Sequence, residues 1–292
     1  MNRWLVSLLL PLVSFFSVSA PLAWQAEKAG LSYTILGSIH AGKQSFYPLP
    51  SPITNAFKNS QGLIVEADIQ QPFNLDLGSD YKTTQDYLSQ AQSKQLIKIT
   101  NELALPYDAL IQAPPWMTAV TLQMGQATNA GLTPQLGIDN HFLTQAHQKK
   151  LPVYELEGME TQIQLLKSLK NDGYELLKPT IEEWEAANSE MQCLVESWFY
   201  GDTQKLESIL TSSQLSDEFN EALLVKRNQE WAKILGENEF ELPKGHYFAV
   251  VGALHLVGSD NVLELLTQQG FTIKPLTQGK KALCPDLFSS RS

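Results

Sequence analysis

Residues 248–258 read FAVVGALHLVG, an apolar run closed by Gly252, with His255 three positions later. The run is short, rich in β-branched residues and bounded by turn formers, which marks a buried strand. The same arrangement stands at 33–42, YTILGSIHAG, where Gly37 precedes His40 by three positions. Only five histidines occur in the chain, and two of them share this context. One Gly-x-x-His is weak information because it recurs by chance. Two, each closing a hydrophobic strand, are more specific. The plain alternative is a pair of strand-end histidines satisfied by ordinary hydrogen bonds.

Outward from these two strands, GLIVEADI (62–69) and LPVYELEG (151–158) also read as strands. Helical periodicity covers 84–103, the stretch after Pro114 and Pro115, GIDNHFLTQAHQKK (137–150), the acidic region 179–202 and DEFNEALLVKRNQEWAKILGE (217–237). Prolines suit the first turn of the second of these. Asp139 is expected at or near an N-cap. In 217–237, Phe219, Leu223, Trp231 and Leu235 fall on one face. Strands alternating with helices at both ends predict an α/β fold. Its central mixed, largely buried β-sheet is flanked by helices. Two pseudo-repeat halves each end a strand in Gly-x-x-His, with a helical insertion between them. In open α/β sheets, ligands gather at the carboxyl ends of strands, and both histidines fall at such ends.

The 292 residues are 43% hydrophobic and 18% charged, ordinary globular values that allow a sizeable core. The formal charge of −10, with no basic cluster, argues against nucleic acid as a partner. Residues 1–20, MNRWLVSLLLPLVSFFSVSA, have the layout of a secretory signal peptide: one cation, an apolar run, then small residues. The expectation is cleavage near 19–23, leaving residues 21–292 as a single domain, periplasmic or secreted, without stable membrane insertion. A retained anchor is the alternative. Export makes a Cys193–Cys284 disulfide the simplest use of the two cysteines, against two separate buried thiols. Nothing in the sequence sets the oligomeric state.

Glu66 interrupts the apolar strand LIVEADI, where an unpaired carboxylate is costly, so a cation or hydrogen-bond donors should stand beside it. Asp68 shares its face if the strand continues. Glu155 and Glu157 alternate along another strand end. Arg227 and Asn228 face solvent by default. Gly37 and Gly252 permit unusual backbone angles or close approach of another chain segment. His141, His147 and His246 have no echo and are not expected to be catalytic.

The segments YTILGSIHAG, LIVEADI, GIDNHFLTQAHQKKLPVYELEGMETQIQLL, KRNQEWAKIL and FAVVGALHLVGSDNVLELLTQQGFTIKPL, in this order, resemble the TraB/GumN family, which includes the Wnt-cleaving TIKI proteases. The resemblance spans about residues 31–276. It implies an α/β fold akin to erythromycin esterases and the haem-linked ChaN proteins. It places Gly37, His40, Glu66, Arg227, Asn228, Gly252 and His255 at a shared site. The family's Leu-Glu-Thr pattern departs here to Leu156-Glu157-Gly158, which leaves Glu157 a candidate and Gln162 in its place. The implied activity is hydrolysis of a peptide or protein substrate with a divalent metal ion (Mn, Co or Zn) held by His40, Glu66 and His255. Arg227 would stabilise a developing oxyanion or orient a substrate carboxylate. Two alternatives remain: a metal-independent, esterase-like hydrolase using a His/Glu pair, or a protein that binds haem or a peptide without catalysis.

Overall fold

The computed structural model describes residues 20–78, 80–212 and 216–284; the expected signal segment lies almost wholly outside them. The six strands are β1 (Ala23–Lys28), β2 (Leu31–Ser38), β3 (Leu63–Val65), β4 (Val153–Glu155), β5 (Gly245–Gly252) and β6 (Thr272–Pro275). They form one mixed sheet in the order β4-β3-β5-β2-β1-β6. The two motif-bearing strands are neighbours: β2 and β5 run parallel, with Gly37 opposite Val251 and Ser38 opposite Gly252. Strands β3 and β4 continue the parallel set, while β1 pairs antiparallel with β2 and β6. Four parallel strands therefore end on one edge of the sheet.

Side-chain alternation sorts the strand residues onto two faces. Leu36, Leu63, Val65, Phe248 and Val250 join one core, and Tyr33, Ile35, Ile64, Tyr247, Ala249 and Val251 join the other. The central strands are buried on both faces, which explains their unbroken apolar runs. Helices α1 (Ser51–Lys58) and α6 (Ile138–Lys149) pack on the first face, and α12 (Lys226–Glu237) and α13 (Val262–Gln268) on the second. Between β3 and α6 lie α2 (Thr84–Tyr87), α3 (Gln90–Glu102), α4 (Tyr107–Gln112) and α5 (Pro115–Asn129). After β4 come α7 (Gly158–Ser168), α8 (Tyr174–Glu182), α9 (Trp184–Tyr200), α10 (Thr203–Thr211) and α11 (Asp217–Asn220). Leu96, Ile99, Leu122, Leu177, Ile181 and Trp184 from this helical insertion make a third core of their own.

Three local readings change. The helix expected over 84–103 breaks at Leu88, because Ser89 opens α3 with a capping box to Gln92. The amphipathic stretch 217–237 carries a π-helical turn, Glu221–Val225, immediately before Arg227. That register change leaves Leu223 only half-buried, while Phe219, Trp231 and Leu235 stay buried. The strands at 62–69 and 151–158 are only three residues long, so Glu66, Asp68 and Glu157 stand beyond their ends.

Cys193 and Cys284 form a disulfide that ties the C-terminal segment to α9. Among the described residues, no helix is long and apolar enough to cross a membrane.

Candidate functional site

Each parallel strand delivers one group to the common edge. Strand β2 leads through Ser38 to His40, β3 to Glu66, β4 to Glu157, and β5 through a 3-10 turn (Ala253–Leu256) to His255. The backbone N–H groups of Glu157 and Gly158 donate to the Glu66 carbonyl at 3.0 and 2.9 Å, which sets Glu157 beside Glu66. Close approach, not unusual backbone angles, explains the motif glycines. Gly252 has φ −52°, and a Cβ there would meet Glu66 Oε1 and the His255 ring, each at 3.3 Å. A Cβ at Gly37 would press on Ala253 at 3.2 Å.

His40 and Asp139 form one half of the site. His40 Nδ1 lies 3.0 Å from Asp139 Oδ2, and Ser38 Oγ donates to Asp139 Oδ1 at 2.8 Å. Asp139 lies in the first turn of α6, near the N-cap as expected, but is not the cap itself. Gly137 holds that position, and the Asp139 side chain turns to His40 instead. Gly137 matters because it packs against the His40 carbonyl, where any side chain would collide. The Ile138 N–H also donates to the Ile39 carbonyl at 3.1 Å, docking the first turn of α6 on the end of β2. The Asp139 carboxylate pulls the His40 imidazole up to about 9, against the opposing cost of burial. The ring is 65% exposed, so water weakens that pull. Burial raises Asp139, but His40 and the hydrogen bonds from His40 and Ser38 outweigh it and leave the carboxyl below its ordinary value. With Nδ1–H facing Asp139, His40 Nε2 is left for other partners.

Arg227 is the hub of the other half. Its Nη2 donates to Glu66 Oε2 at 2.8 Å and to Glu157 Oε1 at 2.6 Å, and its Nε donates to Glu157 Oε2 at 3.1 Å. Nη1 donates to the Leu223 carbonyl at 3.0 Å, which ties the guanidinium to the π-helical turn. Gln162 Nε2 bridges Glu66 and Glu157 at 3.2 and 2.9 Å, and the Gly252 N–H donates to Glu66 Oε1 at 2.6 Å. Burial pushes the Glu66 carboxyl up, and His40 and Arg227 oppose that rise only in part. The Arg227 guanidinium lies over the Trp231 ring, 4.6 Å from its centre, and the Trp231 ring meets that of His255 at a tilt of 45° with centres 4.4 Å apart.

His255 is buried, and burial together with the nearby Arg227 and His40 charges holds it well below the ordinary histidine value. The neutral ring accepts from Arg227 Nη1 at Nε2, 3.2 Å away, so its proton sits on Nδ1 and donates to Asn228 Oδ1 at 2.6 Å. Asn228 Nδ2 in turn donates to the Asp260 carbonyl at 2.9 Å. Arg227 and Asn228 thus face inward, against the solvent-facing default.

His40, Glu66, Arg227, Gly252 and His255 line one cavity of about 300 Å³. Ser38 is the site residue absent from the sequence analysis, where Asp139 reads only as a helix-terminal residue and Gln162 only as keeping its family position. The remaining histidines lie elsewhere in the network. His246 contacts Ser32 and Thr34 near the start of β5, His141 contacts Gln145 and Tyr47, and His147 pairs with buried Asp68 at 2.9 Å.

A divalent ion held by His40, Glu66 and His255 does not fit this arrangement. The guanidinium of Arg227 already faces Glu66 Oε2 and His255 Nε2, the atoms that would bind it. Among the described residues, no group of three or more His, Cys, Asp or Glu side chains is placed to hold a metal.

Comparison with known proteins agrees with the order of motifs. Residues 22–275 match the TraB/PrgY/gumN family. The chain is 33% identical over 238 residues to the uncharacterized protein YbaP of Escherichia coli (strain K12), covering 80% of this chain and 87% of that protein. The YbaP of Shigella flexneri is 33% identical over 236 residues, 80% of this chain and 86% of the relative. A more distant likeness, 26% over 103 residues, links 32% of this chain to 20% of the metalloprotease TIKI1 of Xenopus tropicalis. No solved structure matches. With the family match running from β1 to β6, the chain belongs to the TraB/PrgY/gumN family.

Proposed function

We propose that the chain is an exported hydrolase that cleaves an amide bond in a peptide or protein substrate. The observation that carries this reading is the pairing of exposed His40 with buried Asp139, beside Arg227 at one cavity. The neutral form of His40, whose share grows as pH rises toward 9, takes a proton from water at Nε2 as the water oxygen bonds the carbonyl carbon. Arg227, held by Glu66 and Glu157, turns to the forming oxyanion the Nη1–H that it gives to His255 Nε2 in this structure, and so stabilises it. The imidazolium then gives its proton to the leaving amine as the C–N bond breaks. Asp139 keeps the ring in the tautomer with Nδ1–H and supports its charged form. The distant likeness to a metalloprotease points in the same direction.

That likeness also favours a metal-dependent version, in which Mn, Co or Zn assists the reaction. No step is assigned to an ion, because Arg227 stands at the atoms that would hold it. The test is incubation of the purified protein with a proteome-derived peptide mixture, with chelator in one arm and Mn²⁺, Co²⁺ or Zn²⁺ in the other. New termini detected by mass spectrometry in both arms support the metal-free route. Cleavage only with added ion supports the metal route, and none in either arm counts against hydrolysis.

Export is supported by the N-terminal pattern and by the Cys193–Cys284 bridge, since disulfides persist in oxidising compartments. The Leu22 carbonyl accepts from the Gly37 N–H at 2.9 Å and the Pro21 carbonyl from Thr277 Oγ1 at 2.7 Å. The mature N-terminus is therefore expected at Ala20 or Pro21. A protein starting at Trp24 would contradict that placement.

A further inference from the structure

The cavity beside the cluster combines the cluster's polar groups with a majority of apolar side chains. His40, Glu66, Arg227 and His255 line it together with the apolar side chains of Ile39, Leu132, Met191, Leu194, Val195 and Leu224. Its volume of about 300 Å³ is at the lower end of ligand clefts, which run to ~1,000 Å³. It suits one or two residues of a chain, not a large cofactor. Burying polar or charged substrate groups against these apolar side chains would leave them without partners, and that is costly. A bulky apolar side chain instead gains by leaving water.

Leu132, Met191 and Val195 also line a neighbouring cavity of about 720 Å³. Lys43, Ser45, Gln192 and Glu196 are polar residues in the lining of the second cavity. It carries none of the cluster's charged residues. Helix α9 runs along both, contributing Met191 and Val195 to each. Two adjacent cavities that share three residues, the first mostly apolar beside the reacting groups and the second larger and partly polar in its lining, fit an extended chain with one anchored side chain.

We propose that the Ile39/Leu132/Met191/Leu194/Val195/Leu224 lining is the specificity pocket of the site. It takes the bulky apolar side chain (Leu, Met or Phe) of the peptide residue next to the scissile bond. The adjoining cavity takes the residues that follow on that side. This inference rests on the hydrolase reading for its scissile bond, but the pocket itself is testable without turnover. Met191 and Val195, shared by the two cavities, are specificity-determining residues: they set how deep a side chain reaches.

The experiment has two arms. In the first, wild type and Met191→Trp are incubated with matched peptides that differ only in Leu, Phe, Ala, Lys or Glu at one position. Wild type should cleave beside Leu or Phe at least tenfold faster than beside Ala, Lys or Glu, the scale of discrimination by apolar pockets. Met191→Trp should lower the Leu-to-Ala ratio by about tenfold. In the second arm, calorimetry measures binding of the Leu and Lys peptides to His40→Ala and to the His40→Ala/Met191→Trp double variant. Leu binding that the tryptophan abolishes supports the pocket even when wild type cleaves nothing, an outcome that fails the hydrolase reading alone. Cleavage with no apolar preference, or with a ratio that the tryptophan leaves unmoved, overturns the pocket while the hydrolase stands. No binding preference for Leu over Lys overturns it as well. Should the tryptophan variant prove unfolded by circular dichroism, Val195→Phe takes its place in both arms.

Discussion

Replacing Asp139 with Asn isolates the role of the histidine–carboxylate pair. The amide keeps the shape, and its oxygen can still accept from Ser38 Oγ. The atom facing His40 Nδ1, however, becomes an N–H₂ donor in place of an acceptor. His40 must then present a lone pair at Nδ1 and carry its proton on Nε2, the wrong tautomer for taking a proton from water. The charge effect has a definite sign. Asp139 raises His40 in the folded protein, from 6.5 to about 9. The pair therefore stabilises the fold fully below pH 6.5, and that contribution is lost as pH rises toward 9. Taken at face value the shift corresponds to about 3 kcal/mol, at ~1.36 kcal/mol per unit. With the ring 65% exposed, screening reduces this to about 1 kcal/mol. His40 should accordingly titrate at least about half a unit above 6.5 in the wild type. In Asp139→Asn it should return to 6.5 or lower. The assay is two-dimensional proton–carbon NMR of the five imidazole Cε1–H groups against pH, with His40 identified from the spectrum of His40→Gln. Activity in Asp139→Asn should fall by roughly 10³-fold or more, as wrong-tautomer variants of histidine bases do. A wild-type His40 that titrates at or below 6.5, or one unmoved by the substitution, would refute the pair.

Arg227→Ala leaves Glu66 and Glu157 buried without their cation, so unfolding by urea should show a loss of about 3–5 kcal/mol; a loss below 1 kcal/mol would show that the carboxylates find other partners. Trp198 is fully buried and donates from its indole nitrogen to the Gly37 carbonyl at 2.8 Å. Trp198→Ala should cost about 3–5 kcal/mol and Trp198→Phe less, read as denaturant midpoints. Reduction of Cys193–Cys284 should lower stability by roughly 2–4 kcal/mol, measured by unfolding with and without reductant, and thiol counting on the denatured, unreduced protein should find none.

The sheet was legible because its central strands are buried on both faces and therefore read as continuous apolar runs, each closed by a glycine. The strand-end placement of His40 and His255 followed from the same pattern. Glu66 stood out because a carboxylate inside LIVEADI demands a partner, and Arg227 answers that demand. The identity of that partner was not legible: a helix residue distant in sequence reaches Glu66 only because the π-helical turn and the packing of Trp231 aim it inward. Asp139 was hidden for a related reason. An acidic residue in a first helical turn is adequately explained by the helix itself, and only the folded chain, which brings Ser38 and His40 to its carboxylate, shows that it has another use. Gln162 kept its family position, but an amide on a helix gives no sequence sign that it bridges two carboxylates. The break at Ser89 was legible in principle from the Ser-x-x-Gln capping pattern, which helical periodicity across 84–103 obscured.

The most direct measurement of the central claim compares wild type with His40→Ala on one peptide mixture in ¹⁸O-water with chelator present. The account predicts that wild type generates new peptide termini carrying ¹⁸O and that the folded His40→Ala protein generates essentially none. Labelled termini in equal amount from both proteins, or none from wild type under these conditions or with Mn²⁺, Co²⁺ or Zn²⁺ added, would contradict hydrolysis through His40.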